Sequence, residues 1–288
     1  MSFKIITDST ADLPDSYVAE HDIIVLGMTV TVGDDSYETV GEGRLTNDTL
    51  LAEIAKGKKV QTAQVNSGQF LEVFKASAQA GEEVLYLAFS SGLSGTYQSS
   101  VMAREMALEE FPEAKITVFD TLAAASGEGF IVEEVVKLRE AGHSVEEVVS
   151  QLEHLSTHLQ SLFMVDDLNH LALGGRISKA VAVMGTMANI KPLLYVDKPG
   201  TLQQAGRVRG KKKALNSLIK DTLEGMDTAY SKVIVSYSGE DATAQEIKAC
   251  FLEAGVQEVE VRPLSPTIVT HTGAGTIAIF SMGRNPRA

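Results

Sequence analysis

The residues best suited to chemistry lie in a short loop of hydroxyls and glycines, residues 90–95. An apolar run of strand length, residues 84–89, precedes this loop, and a segment with helical spacing of apolar residues follows it. A buried strand that leads through such a loop into a helix places hydroxyls and unpaired backbone N–H groups at one point, where the helix dipole favours negative charge. The sequence therefore predicts an anion-binding site around Ser94.

Two familiar patterns do not fit this loop. A phosphate-binding P-loop needs a lysine after its glycines, and none follows here. The nucleophile elbow of serine hydrolases has a glycine two positions after its serine, whereas Gly95 follows Ser94 directly. A small-residue loop needed only for tight strand–helix packing remains an alternative.

Two further polar residues could reach the same anion. Thr62 lies in an extended segment, and ligands of open α/β sheets bind beyond the carboxyl ends of the strands, where Ser94 is also expected. Two hydroxyl donors suit a carboxylate. His271 opens a glycine-rich segment, residues 271–276, and could donate to the anion or orient a hydroxyl. A purely structural role for either residue stays open.

Three other functions compete with anion binding. A hydrolase or acyltransferase would use Ser94 as nucleophile and His271 as base, with Asp8 or Asp120 as the orienting acid. A regulator that binds a small molecule of another kind is a second alternative. A zinc site is a third, since His154 and His158 have the spacing of two zinc ligands, but no third ligand is evident. The sequence predicts no catalytic residue, no metal and no cofactor.

Composition narrows the class of protein. The 288 residues carry a net charge of −13, which opposes nucleic acid and anionic membrane surfaces. No apolar run is long enough to cross a bilayer, and no secretory segment opens the chain. The single Cys250 cannot form an internal disulfide and is expected to be buried, so we predict a cytoplasmic protein.

Positive charge is concentrated in two places on this acidic chain. Arg176 follows two glycines, and residues 207–213 contain five cations, Arg207 and Arg209 among them. Cations at the start of a helix oppose its dipole, so a partner or a nucleotide phosphate could favour them. A solvated helix start is the alternative.

The order of elements predicts an α/β fold of two domains with the ligand between them. Up to residue 158, strands alternate with helices, which predicts a mostly parallel sheet with helices on both faces. Beyond it, residues 202–208 can pair with residues 192–197 across the turn Lys198-Pro199-Gly200, which indicates antiparallel strands. We therefore place an N-terminal domain at 1–158 and a C-terminal domain at 159–288. A return of the last strand toward the N-terminal domain is left open.

Several motifs in sequence order resemble the DegV family: TDSTADLP at 7–14, SSGLSGTYQS at 90–99, GGRIS at 174–178, RVRGKKKAL at 207–215 and HTGAGT at 271–276. The resemblance covers nearly the whole chain. It implies a two-domain cytoplasmic bacterial protein that binds a long-chain fatty acid. It also implies a non-catalytic subunit that presents the acyl carboxylate to the catalytic subunit of a fatty acid kinase, which phosphorylates it from ATP.

The resemblance also assigns roles to residues. Thr62 and Ser94 match the family's carboxylate-binding hydroxyls, His271 matches a histidine beside the carboxylate, and Arg176, Arg207 and Arg209 match positions suited to docking the kinase. This chain departs from the family where T-S-Q-P-S is replaced by TAQVN at 62–66, and where H-x-G-P-G is replaced by HTGAG at 271–275. Both departures keep the contact residue and alter the backbone beside it.

Overall fold

The computed structural model of the chain describes residues 3–178 and 189–288. The strands are β1 Lys4–Asp8, β2 Ile23–Leu26, β3 Thr29–Val32, β4 Asp35–Glu38, β5 Val60–Ala63, β6 Val84–Ala88, β7 Ile116–Asp120, β8 Leu159–Met164, β9 Ile190–Val196, β10 Leu202–Arg209, β11 Lys232–Tyr237, β12 Glu258–Pro263 and β13 Ile277–Met282. The helices are α1 Asp15–Glu20, α2 Asn47–Ala55, α3 Ser67–Ala80, α4 Thr96–Glu110, α5 Ser126–Glu140, α6 Val145–His158, α7 Asn169–Leu173, α8 Lys211–Gly225, α9 Ala242–Glu253 and α10 Pro266–Thr272.

The N-terminal sheet is parallel and has the order β2-β1-β6-β7. Every residue of β6 is buried, as its continuous apolar run predicts. Successive side chains of a strand point to opposite faces. Leu85 and Leu87 accordingly pack with α5, and Tyr86 packs with α3 and α4. The predicted parallel sheet with helices on both faces is confirmed.

The C-terminal sheet has the order β10-β9-β8-β13-β11-β12 and is antiparallel except for the β11–β12 pair. It contains the predicted hairpin, in which β9 and β10 are joined across a turn where Gly200 has a φ of 78°. The α/β fold class, with antiparallel strands in the C-terminal half, is thus confirmed. The last strand, β13, lies between β8 and β11 in this sheet.

A third sheet was not predicted as a unit. It is antiparallel, has the order β4-β3-β5, and places Thr62 of β5 opposite Val30 of β3. Most side chains of β4, DSYE, are exposed, so its sequence has no alternation of apolar and polar residues by which a strand could be predicted. This small sheet fixes the position of Thr62.

Helix α5 packs against both large sheets, and its N-terminal half is almost wholly buried. Glu128 in this helix is completely buried, and its carboxyl oxygens lie 2.8 Å from Thr7 Oγ1 and 2.7 Å from Thr10 Oγ1. Burial, followed by repulsion from Asp8, raises the pKa of Glu128 well above its usual range. Part of the TDSTADLP motif therefore anchors a buried glutamate of the central helix.

Candidate functional site

One cavity lies between the N-terminal loops, helix α10 and the six-stranded sheet. Its accessible volume is about 160 Å³. Thr62, Ser94 and His271 all line it, so the structure brings together the three side chains predicted to bind an anion. Much of the remaining lining is apolar and includes Phe89, Leu93, Phe163, Val196, Leu202 and Phe280.

Ser94 is held by the loop at the start of α4. Its backbone N–H donates to Ser90 O at 3.1 Å, and Ser90 Oγ in turn donates to Gly200 O at 2.7 Å. Ser94 Oγ accepts from Thr96 N at 3.2 Å and lies 2.9 Å from Thr96 Oγ1. When the Thr96 hydroxyl donates to Ser94 Oγ, the Ser94 proton is free to donate to a ligand.

Thr62 and His271 form a pair, with Thr62 Oγ1 2.8 Å from His271 Nε2. Burial lowers the pKa of His271 to about 4, and the charge of Arg176 adds to that effect. His271 is therefore neutral near pH 7. In the tautomer with a proton on Nε2, His271 donates to Thr62 Oγ1, which leaves the Thr62 hydroxyl proton free for a ligand.

Two glycines allow these groups to approach closely. A Cβ atom on Gly174 would overlap His271 Nδ1, and one on Gly95 would overlap the side-chain amide of Gln64. Gln64 lines the cavity and donates to Ser99 Oγ at 2.8 Å. The sequence analysis missed Gln64, although its position two residues after Thr62 in an extended segment could have indicated it.

The three arginines predicted to dock a partner lie in two different places. Arg176 lines the cavity, where its Nε donates to Leu93 O at 3.0 Å and its Nη1 donates to Gly174 O. Burial lowers the pKa of Arg176 from its usual value. Arg207 and Arg209 lie outside the cavity lining, on the exposed face of the edge strand β10. The structure therefore separates Arg176 from the other two.

The contacts of Ser94 do not support a hydrolase. Among the hydrogen bonds of the described residues, none joins Ser94 to His271, because Ser94 pairs with Thr96 and His271 with Thr62. Asp8 accepts from Thr10, Tyr86 and the Phe89 backbone, and Asp120 accepts from the backbone N–H groups of Ser91 and Leu122. Neither carboxylate orients His271, so nothing here activates Ser94 as a nucleophile.

Three further sequence predictions concern Cys250, a zinc site at His154 and His158, and membrane-spanning segments. Cys250 is exposed on α9, so its predicted burial is wrong. His154 and His158 stack with ring centroids 4.0 Å apart, and no cluster of three or more metal-ligating side chains occurs within residues 3–178 and 189–288. No helix in the described part of the chain is long and apolar enough to cross a bilayer.

Comparison with known proteins identifies the family. The family model described as "uncharacterised protein, DegV family" matches residues 2–284, so the chain belongs to the DegV family. It is 65% identical to a DegV domain-containing protein, YteA, from Lactococcus lactis, over 100% of both chains.

Two solved structures are similar over nearly their full length. A fatty-acid-binding DegV family protein from Thermus thermophilus is 32% identical, with a TM-score of 0.86 over 98% of this chain and 100% of that one. DegV from Bacillus subtilis, described as a fatty acid binding protein, is 27% identical, with a TM-score of 0.82 over 99% of this chain and 100% of that one.

Proposed function

We propose that this protein binds a long-chain fatty acid and presents its carboxylate to a separate kinase subunit for phosphorylation to acyl phosphate. The observation that supports binding is the cavity itself, which has two hydroxyls and a neutral histidine at one end and a largely apolar lining beyond them. Relatives of similar fold are described as fatty-acid-binding proteins. An apolar tunnel that ends in a few fixed donors is what a fatty acid requires.

The polar end of the cavity suits one carboxylate. Thr62 and Ser94 can each donate a hydroxyl proton, as argued above. Arg176 supplies one positive charge, and none of the ion pairs formed by the described residues includes it. A bound carboxylate would therefore be the counter-ion of a half-buried guanidinium whose hydrogen bonds within residues 3–178 and 189–288 go to the backbone carbonyls of Leu93 and Gly174.

The ligand can be identified directly. Organic extracts of the purified protein, analysed by mass spectrometry, should contain a fatty acid in stoichiometric amount. An extract without any acyl chain, combined with no binding of added fatty acid to the same protein, would favour a regulator of another ligand class.

We expect Ser94→Ala to weaken fatty acid binding about tenfold, because a hydrogen bond to a charged acceptor contributes about 1.5–3 kcal/mol. Adding Thr62→Ala should weaken binding further. Calorimetric titration of delipidated protein measures both effects. Ser91→Ala is the matched control, since Ser91 is an exposed serine of the same loop that does not line the cavity. Unchanged affinity in the double variant would contradict the carboxylate assignment.

Phosphorylation would require a second protein. The chain carries no P-loop, and hydroxyls alone position a carboxylate without binding ATP. Acyl phosphate should therefore form only when a kinase subunit is present. Arg207 and Arg209, together with three exposed lysines at the start of α8, give an acidic protein a local basic surface that suits an acidic partner.

Reversing both docking arginines, Arg207→Glu and Arg209→Glu, should leave fatty acid affinity unchanged and slow acyl phosphate formation by the kinase. The defect should be largest at low ionic strength, where repulsion is least screened. Lys115→Glu with Lys137→Glu makes the same change in net charge on exposed residues elsewhere and should have little effect. Loss of fatty acid binding in the folded arginine variant would place these residues in the ligand site instead. Arg176 is left out of this test because it lines the cavity.

A further inference from the structure

Helix α10 forms part of the cavity wall and is short. Thr267, Ile268 and His271 of this helix all line the cavity, and His271 is also the partner of Thr62. The helix has seven residues, about two turns, so contacts at its ends contribute strongly to its position. The placement of His271 therefore depends on how the start of α10 is held.

The two residues immediately before α10 are held by side chains from the N-terminal half of the chain. Asp12 Oδ1 accepts from Ser265 N at 2.7 Å, and Asn47 Nδ2 donates to Leu264 O at 2.7 Å. Asp12 Oδ2 also accepts at 3.0 Å from the hydroxyl of Ser126, the first residue of α5. Asp12 thus connects the TDSTADLP motif with the central helix and with the start of α10.

The Asp12 side chain can change its charge near neutral pH. Burial raises the pKa of Asp12 to about 7, against the hydrogen bonds from Ser265 and Ser126 and the attraction of Arg262. Asp12 lines a second cavity, with an accessible volume of about 640 Å³, so water can approach it. The carboxyl group is therefore mostly ionised at pH 8 and mostly neutral at pH 6.

Several elements place charged or titratable groups around Asp12. Arg262, at the end of β12, attracts the carboxylate, but its guanidinium is shared with Glu133 and Glu260. Glu128 of α5 is repelled by Asp12. Three further charged residues of β1, α1 and the loop before α2 line the same cavity, of which the last two pair with each other: Asp8, Asp15 and Arg44.

Protonation of Asp12 would weaken the hydrogen bond that holds Ser265. A hydrogen bond to an ionised acceptor is roughly twice as strong as one to a neutral acceptor. Ser126 Oγ donates to Asp12 and accepts from Ser236 Oγ at 2.7 Å. A proton on Asp12 Oδ2 would have to donate to Ser126, which would reverse this chain of hydroxyls. The hydrogen bonds of the structure therefore fit the ionised form.

Repulsion between Asp12 and a bound fatty acid carboxylate would act in the opposite direction. Ser265 lies six residues before His271, about 9 Å along the helix axis. The bound carboxylate is also expected to be the counter-ion of Arg176, so the two together add little net charge. We expect this repulsion to be the smaller effect.

We propose that Asp12 is a positioning residue of the fatty acid site, whose ionised carboxylate holds the start of α10 in the arrangement that binds the ligand. This role rests on the proposed fatty acid binding and adds a pH dependence to it. Because the ligand binds best when α10 is held, binding favours the ionised form of Asp12. The coupling is reciprocal, so the affinity rises with pH and binding releases protons.

The test measures laurate binding to delipidated full-length protein by calorimetric titration at pH 6 and pH 8, below the concentration at which laurate forms micelles. A carboxylic acid in water is ionised at both values, and His271 is neutral at both. Wild-type affinity should be about fivefold higher at pH 8, because a charge-assisted hydrogen bond replaces a neutral one. Titrations at pH 7 in buffers of different ionisation enthalpy should show that binding releases a fraction of a proton.

Three variants assign the proton. Asp12→Asn keeps the shape of the side chain, tolerates the positive φ of 52° and is neutral at every pH, so its affinity should be low and equal at both values. Asn47→Ala, the matched control, removes the neighbouring bond to Leu264 O but no titratable group, so it should weaken binding and keep the pH effect. His170→Gln should also keep it, although His170 lies near His271 and histidine ordinarily titrates between pH 5 and 8.

The results separate the role of Asp12 from the proposed function. A wild type that binds laurate equally at both pH values, or that takes up protons on binding, overturns the role of Asp12 and leaves fatty acid binding intact. A pH effect that persists in Asp12→Asn, or that disappears in Asn47→Ala, also overturns it. The wild-type proton release decides the question even if Asp12→Asn does not fold. No laurate binding by the wild type at either pH would overturn the fatty acid proposal itself.

Discussion

Replacing Glu133 by Ala is expected to lower the free energy of unfolding by about 3–5 kcal/mol, the usual result of removing one partner from a buried ion pair. Glu133 of α5 is 3% exposed and contacts Lys232 Nζ at 2.9 Å and the guanidinium of Arg262. Both cations lie on the six-stranded sheet, at 8% and 4% side-chain exposure. Without Glu133 they would stay buried with less negative charge around them, since the other carboxylates they contact are Glu258 and Glu260.

The neighbouring residue provides a matched control. Glu134 is on the same helix and pairs with the exposed Lys137, so Glu134→Ala should cost only about 0–1 kcal/mol. Urea denaturation of both variants at pH 7 measures the difference. Equal small losses in the two variants would mean that the Glu133 contacts do not hold α5 against the C-terminal sheet.

The burial of Glu133 could not be predicted from the sequence. An amphipathic reading of α5 places glutamates toward solvent. Glu128 and Glu133 are nevertheless buried, because their partners come from β1, β11 and β12, far away in the chain. Hydrophobic periodicity carries no information on such pairs. Burial of a charged residue is decided by tertiary partners that only the folded structure brings together.

The elements around Ser94 were predictable for the opposite reason. The strand β6, the loop and the start of α4 are adjacent in sequence, and each has a local signal: an apolar run, small residues and helical spacing. The hairpin of β9 and β10 likewise follows from its turn residues. These local sequence signals therefore predicted correctly that Ser94 lies at the start of a helix.

The position of Arg176 within the site could not be predicted from the sequence. An arginine that follows two glycines is equally compatible with a docking surface and with a cavity wall. The structure places it in the cavity through a hydrogen bond to Leu93 O, 83 residues away in the chain. Gly174 makes this possible by leaving room for His271. Such long-range proximity has no local signature.

Shortening the ligand from palmitate to octanoate is expected to weaken binding by about 10⁴-fold, the largest effect we predict. Each methylene buried in an apolar cavity contributes about 0.8 kcal/mol, so eight methylenes correspond to about 6 kcal/mol. Side chains such as Phe163, Leu202 and Phe280 provide the apolar walls. The carboxylate contacts are the same for both acids, so they cancel in the comparison.

The affinities of the whole series of saturated acids should be measured with wild type and with the Ser94→Ala, Thr62→Ala double variant. The two plots of binding free energy against chain length should be parallel, because the carboxylate and the tail contact separate parts of the cavity and their contributions add. The gain per methylene should fall where the tail reaches Ser161 and Thr267, since their unpartnered hydroxyls gain nothing from an alkyl chain. An affinity independent of chain length would mean that the tail stays in water, and the cavity would then bind only the head of the ligand.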